Sequence, residues 1–304
     1  MARAVGVCGL VLLIWGTISV SPASAWEDTR LFGISSYYVP SADIEDDEGE
    51  LSTAGLTAGG VVPLEISPGQ VLVLGAAWQG LLVDYRDLDF TWVGTDGKTY
   101  SEKDLPHSLH SVSLTLGYGV EFDSGFGLFG AFIPAVQSDF EDVGSEDIYY
   151  MGGVLGNYRV NESLNLLTGI YYADSFGEEQ LLPGLGVQWE LGSGLSLDAF
   201  LPQFFNLEWQ ACPLLALGLR GRVVGHEYRL SRDMPWDETV LKYSQVLVGP
   251  YLDLTLADNL YLRLEGGGAF SRTFEFREKN GSGNLDDGDI GDQGYVSGAV
   301  FIEY

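Results

Sequence analysis

From Val112 to Phe122 apolar and polar positions alternate without a break. Val112, Leu114, Leu116, Tyr118, Val120 and Phe122 share one face, and Ser113, Thr115, Gly117, Gly119 and Glu121 share the other. Successive side chains of a strand point to opposite sides of the sheet, so this is a strand with one apolar and one wet face. The pattern returns at Leu215, Leu217 and Leu219, at Leu252, Leu254 and Leu256, at Leu260, Leu262 and Leu264, and in the last stretch at Val296, Gly298, Val300, Ile302 and Tyr304. Segments 70–84 and 126–136 differ, being apolar on both faces: Leu72, Leu74 and Trp78 alternate with Val71, Val73 and Ala77, and Phe129 and Ile133 with Leu128 and Phe132. No long segment carries a helical period, and after Val20 no apolar run reaches the ~20 residues of a membrane helix.

The alternation predicts strands at about 30–39, 52–64, 70–84, 108–122, 126–136, 147–160, 164–174, 180–191, 195–201, 204–211, 214–229, 240–256, 259–275 and 293–304. Short turns with hairpin chemistry (Ser67-Pro68-Gly69, Asp123-Ser124-Gly125, Asn161-Glu162-Ser163, Gly192-Ser193-Gly194, Ala257-Asp258-Asn259) alternate with polar loops near 40–51, 86–107, 137–147, 174–180, 231–239 and 277–292. Short turns on one rim and long loops on the other are the mark of an outer-membrane barrel. The expected fold is therefore all-β, an antiparallel up-and-down transmembrane β-barrel of 14 strands, an even number that returns both ends of the barrel to one side. Twelve is the alternative, if the short pair around Leu201-Pro202-Gln203 is an irregular excursion.

The start of the chain reads as an export signal. Arg3 precedes an apolar run from Val5 to Val20, and Ala23-Ser24-Ala25 ends it with small residues. Residues 1–25 are expected to be removed, leaving one barrel domain, 26–304, in the outer membrane of a Gram-negative-type bacterium. Strand pattern begins at about Leu31, leaving little chain for an N-terminal plug. Loss of Arg3 takes the net charge from −28 to −29, which argues against nucleic acid as a partner. Acidity alone could mean disorder, but 15 Phe, 16 Tyr and 7 Trp are too many for that. Cys212 alone would remain of the two cysteines, so no intrachain disulfide can form.

An aromatic residue, Tyr304, closes the last alternating strand. Together with LSLDAFLPQFFNLEW at 195–209, where a strand ends in Leu-Pro and turns back into an aromatic-rich strand, the chain resembles uncharacterised outer-membrane β-barrel families, domains of unknown function. The resemblance implies lipid as the surrounding partner and recognition of the C-terminal strand by the barrel assembly machinery. It implies no activity and leaves the oligomeric state open.

Chemistry is sparse. His107 and His110 stand beside Ser108 and Ser111 where a loop enters a strand, but no third orienting group or oxyanion motif accompanies them, so no catalytic residues are assigned. The loop Asn280–Asp292 looks like a calcium loop until Asp287 takes the place of the turn glycine. Asp286, Asp287, Asp289 and Asp292 are a candidate weak cation-binding loop; no cofactor and no structural metal are called for. Alternation turns Arg220, Arg222, Asp253, Arg263, Glu265 and Glu303 toward the lumen as a charge network of alternating sign, and the two-sided apolar strands predict a narrow or partly blocked lumen. The expected function is a narrow diffusion channel or a structural surface protein. The alternatives are a barrel enzyme acting on membrane lipid and a soluble exported β protein binding a small ligand.

Overall fold

The computed structural model describes residues 30–44, 49–87, 91–93, 97–173, 179–230, 239–278 and 284–303. The segment read as a signal peptide and the terminal Tyr304 lie outside the described residues. The strands are β1 (Arg30–Asp43), β2 (Glu50–Ser67), β3 (Gln70–Arg86), β4 (Thr91–Val93), β5 (Thr99–Ser101), β6 (Ser108–Glu121), β7 (Phe126–Ser138), β8 (Ile148–Asn161), β9 (Leu164–Ala173), β10 (Gln180–Gly192), β11 (Leu195–Leu201), β12 (Phe204–Cys212), β13 (Leu215–Arg229), β14 (Thr239–Ala257), β15 (Leu260–Glu278), β16 (Asn284–Ile290) and β17 (Gln293–Glu303). Fourteen of them close one antiparallel ring. Neighbours in the ring follow chain order, and β17 pairs with both β15 and β1 to shut it. The short pair β11–β12 belongs to the wall.

Three strands lie outside the ring. β4 pairs only with β5, and β16 returns along the outer end of β15. Both occupy segments read from the sequence as irregular polar loops. For β16 the reason is that apolar alternation does not stop at the rim: Phe274, Phe276 and Ile290 are all buried, so the hairpin continues beyond the wall.

Hairpin chemistry sets the turn rim. Gly69 and Gly125 hold φ of +76° and +77°, values a Cβ would strain. Between the rims the outward face is apolar: Ile34, Leu56, Leu114, Leu116, Val154, Ile170, Leu185 and Val300 are exposed. A closed ring leaves no unpaired edge, and an outward apolar surface of this extent on such a ring is the solution for crossing lipid. Outward aromatic residues gather at two levels. Tyr118, Phe122, Phe126, Tyr158, Trp189 and Trp209 stand toward the turn rim, and Tyr38, Trp78, Phe132, Tyr150 and Tyr172 toward the loop rim. Tyr150 and Tyr158 share β8; eight residues at ~3.3 Å and a tilt of ~40° separate them by about 20 Å along the barrel axis, the height of an apolar band between interfacial girdles.

The inward face is filled. Val71, Val73, Phe129, Ile133, Met151, Leu155, Leu167, Phe200 and Phe204 form one buried cluster. The outer halves of β1, β3, β6, β13, β14 and β15 contribute to a second around Leu81, Leu109, Tyr228, Leu241 and Phe274. As expected, β3 and β7 put Val71, Val73, Phe129 and Ile133 inside while Leu74 and Phe132 face out.

One feature departs from a regular barrel. The β11–β12 hairpin stops low, at a turn containing the cis Leu201–Pro202 bond, so β13 above Arg222 has no β12 to pair with. That upper segment, Val223 to Leu230, is buried throughout. It leans inward until Arg229 pairs in parallel with Ser138 of β7. On a round ring β7 and β13, six strands apart, would stand roughly 20 Å or more from each other. Their contact closes the lumen at the loop rim.

Candidate functional site

Polar groups in the lumen collect where β12–β15 and β17 meet. Strand alternation turns Glu208, Arg220, Arg222, Asp253, Arg263 and Glu265 to the same side, and the register stacks them in two tiers. In the lower tier Asp253 and Arg263 are direct cross-strand partners. Arg263 Nε and Nη2 donate to the two carboxylate oxygens of Asp253 at 2.7 and 2.5 Å, and Nη2 lies 3.9 Å from Glu208. The guanidinium sits over the Tyr251 ring at 4.1 Å, and the Tyr251 hydroxyl donates to Glu208 at 2.8 Å. Gly218 opposite makes this possible, since a Cβ there would lie 2.3 Å from the Tyr251 ring. In the upper tier Glu265 accepts from Arg222 and from the Tyr295 hydroxyl, with Arg220 at 3.8 Å.

Three guanidiniums thus face three carboxylates, and all three arginines are at most 1 % exposed. Buried charges persist only when paired and hydrogen-bonded, and here each carboxylate has a cation beside it. Five of the six residues assigned to the lumen from the sequence lie in these tiers. The sixth, Glu303, sits below them and lines a cavity of about 280 Å³ at the turn rim with Glu208, Gln210, Asp253, Thr255 and Tyr261. Glu208, Tyr251 and Tyr295 were not assigned to the network, although their alternation with Leu207, Leu252 and Val296 gives them the same inward parity.

A second charged group holds the loop rim shut. Arg229 Nη1 reaches Asp147 at 3.0 Å and Glu146 at 3.2 Å, both on a 3-10 turn between β7 and β8. Lys242 lies 3.8 Å from Glu227, whose carboxylate also accepts from the Tyr149 hydroxyl at 3.4 Å. The Glu146 carboxyl is held below its ordinary range by a hydrogen bond from its own backbone N–H, then by the Ser145 hydroxyl and by Arg229. Glu227 and Lys242 are direct partners on the neighbouring strands β13 and β14, but no local sequence signal marks the Arg229–Asp147, Arg229–Glu146 and Tyr149–Glu227 contacts, whose partners come from opposite sides of the ring.

The other sequence candidates stay apart. Ser111 points inward, whereas His110 stacks on Trp78 at the outer face, with ring centroids 5.9 Å apart. His107 is exposed and contacts the Val83 carbonyl at 3.1 Å. Asp286, Asp287 and Asp289 fall on β16, and Asp289 and Asp292 are exposed. Among the described residues no three His, Cys, Asp or Glu side chains converge as a metal site.

Residues 85–290, two thirds of the chain and including β6 to β15, match a family described as a domain of unknown function, DUF6268. The chain belongs to this family. Among solved structures the family member is similar to the translocator domain of the autotransporter NalP from Neisseria meningitidis, with 13 % identity, TM-score 0.39, and 99 % of this chain and 96 % of that one covered. It is similar to outer membrane phospholipase A from Escherichia coli at 9 % identity and TM-score 0.36, covering 98 % and 97 %. It is also similar to the KdgM porin at 9 % identity and TM-score 0.33, covering 90 % and 99 %. No curated protein matches the sequence.

Proposed function

We propose that this protein is a narrow outer-membrane channel for small solutes, exported by a signal peptide cut after Ala25 and inserted by machinery that reads its C-terminal strand. The observation that carries the reading is the open cavity at the turn rim. Its wall includes Glu208, Asp253 and Glu303, and it leads directly onto the paired tiers of the lumen. An acidic vestibule concentrates cations at its mouth. Against a Ser–His site at His110, Ser111 faces the lumen while His110 stacks on Trp78 at the outer face. A second reading, a packed barrel serving as a structural surface protein, is supported by the β7–β13 contact across the lumen. Single-channel recording of refolded residues 26–304, with and without a salt gradient, separates the two. Small, discrete conductance steps, or small-solute flux into liposomes carrying the protein, support the channel; a folded, heat-modifiable barrel that passes neither ions nor small solutes supports the packed barrel.

A further inference from the structure

The lumen carries one continuous polar track. Following directly paired inward positions from strand to strand, the register runs Gln210, Ala216, Asp253, Arg263, Ala299 and then Ser35. It continues through Thr57, Gln79 and Ser111 to Gln137. Every member is polar except Ala216 and Ala299, whose side chains are the smallest in the row. The track takes nine steps, and strands tilted ~40° and ~4.8 Å apart climb about 28 Å over that distance, enough to cross an apolar band of about 25 Å. It starts in the turn-rim cavity, which Gln210, Ala216 and Asp253 line. It ends at Gln137, one residue below the Ser138–Arg229 contact that closes the loop rim.

The hydrogen bonds along this track are incomplete. Ser35, Thr57 and Gln137 are 3 %, 0 % and 0 % exposed, yet Ser35 Oγ, Thr57 Oγ1 and both polar atoms of Gln137 have no hydrogen-bond partner among the described residues. A buried polar group left unbonded is costly, so these groups suit guests that can both donate and accept. Midway, a cavity of about 10 Å³, near the size that holds one water, is lined by Thr57 and Gln79 with Tyr37, His226 and Tyr243. Directly opposed residues on neighbouring strands stand ~5 Å apart at Cβ, a spacing that a water or a small amide spans.

We propose that this spiral is the conduction path, a single file for water and small neutral hydrogen-bonding solutes of the size of urea or glycerol, with the β7–β13 contact as its outer gate. The proposal rests on the channel reading and names its route and solute class. Beyond Arg263, which is neutralised by Asp253, the polar groups of the file are hydroxyls and amides alone, with the small Ala299 between Arg263 and Ser35. Such a lining replaces the hydrogen bonds of a neutral solute but cannot replace the hydration shell of an ion.

The test is stopped-flow light scattering on proteoliposomes carrying the mature chain, with water, urea and glycerol as probes and ionic conductance measured on the same protein. Thr57→Val and Gln137→Leu remove hydrogen-bonding sites from the file. Thr115→Val is the control: Thr115 is equally buried, inward and without a partner, but it is off the track. Wild-type flux above that of empty vesicles, cut about tenfold by each track variant and unchanged in the control, is expected. All variants must keep heat-modifiable gel mobility. Ionic conductance without neutral-solute flux, or flux indifferent to Thr57 and Gln137, overturns the proposal and leaves the channel reading standing. A folded barrel that passes neither ions nor neutral solutes overturns both.

Discussion

The carbonyl oxygen of Arg229 accepts a hydrogen bond from the backbone N–H of Asp139 at 3.3 Å, although their strands stand six places apart in the ring. The same arginine's side chain grips Asp147 and Glu146 on the far wall, so backbone and side chain close the loop rim together. Arg229→Ala would remove the side-chain grip and leave the Asp147 carboxylate, 1 % exposed, without its cation. The expected result is a larger or more frequently open conductance, with a lower temperature for the gel-mobility shift. Unchanged conductance in bilayer recordings would show that this contact does not gate the lumen.

Acid should act on the same contact. The Glu146 pKa is lowered in the folded protein, so its stabilisation is present above the unfolded value of about 4.3 and is lost as pH falls through the lowered folded value. Opening events should therefore become more frequent on the loop-rim side below about pH 4. Glu146→Gln should conduct at neutral pH as the wild type does after acidification and should lose that acid step. A pH profile the same in both proteins would remove Glu146 from the gate.

The lower tier gives a stability prediction. Arg263→Leu leaves the buried Asp253 and the half-buried Glu208 without the cation between them, and breaking a buried pair costs about 3–5 kcal/mol. The mobility-shift temperature should fall markedly. The double variant Arg263→Leu, Asp253→Leu should recover much of the loss, because it removes the charge rather than stranding it. If the single variant keeps full heat resistance while ion selectivity changes, the pair is a transport filter and not a structural tie.

The strand boundaries were legible because membrane barrels show alternation on nearly every strand. Val112–Phe122 and Leu260–Leu264 announce both the strand and its inward face, and parity alone placed Arg220, Asp253 and Arg263 inside. Two features could not be read. The Ser138–Arg229 contact joins segments some ninety residues apart through backbone groups, which no side-chain pattern encodes. The incomplete hydrogen bonds of Ser35, Thr57 and Gln137 depend on the register of six or more strands at once, whereas alternation gives only the face of each. The segment 284–290 was read as loop because its acidic run hides that it pairs with the extension of β15.

The vestibule sets the sign of selectivity. The tiers above it hold three cations against three carboxylates, and Glu303 adds a further carboxylate to the cavity wall at the turn rim, beside Glu208 and Asp253. A single-sign mouth raises the local concentration of counter-ions, and the effect weakens as salt shortens the Debye length from ~10 Å at 0.1 M to ~3 Å at 1 M. Any ionic current should therefore favour cations in a low-salt gradient, with the preference fading in molar salt. Glu303→Gln should reduce the preference, because it removes one carboxylate from the wall of the turn-rim cavity. A reversal potential on the anion side in the wild type, or one insensitive to Glu303→Gln, would place the selecting charge elsewhere, in the loops or at the Arg229 closure.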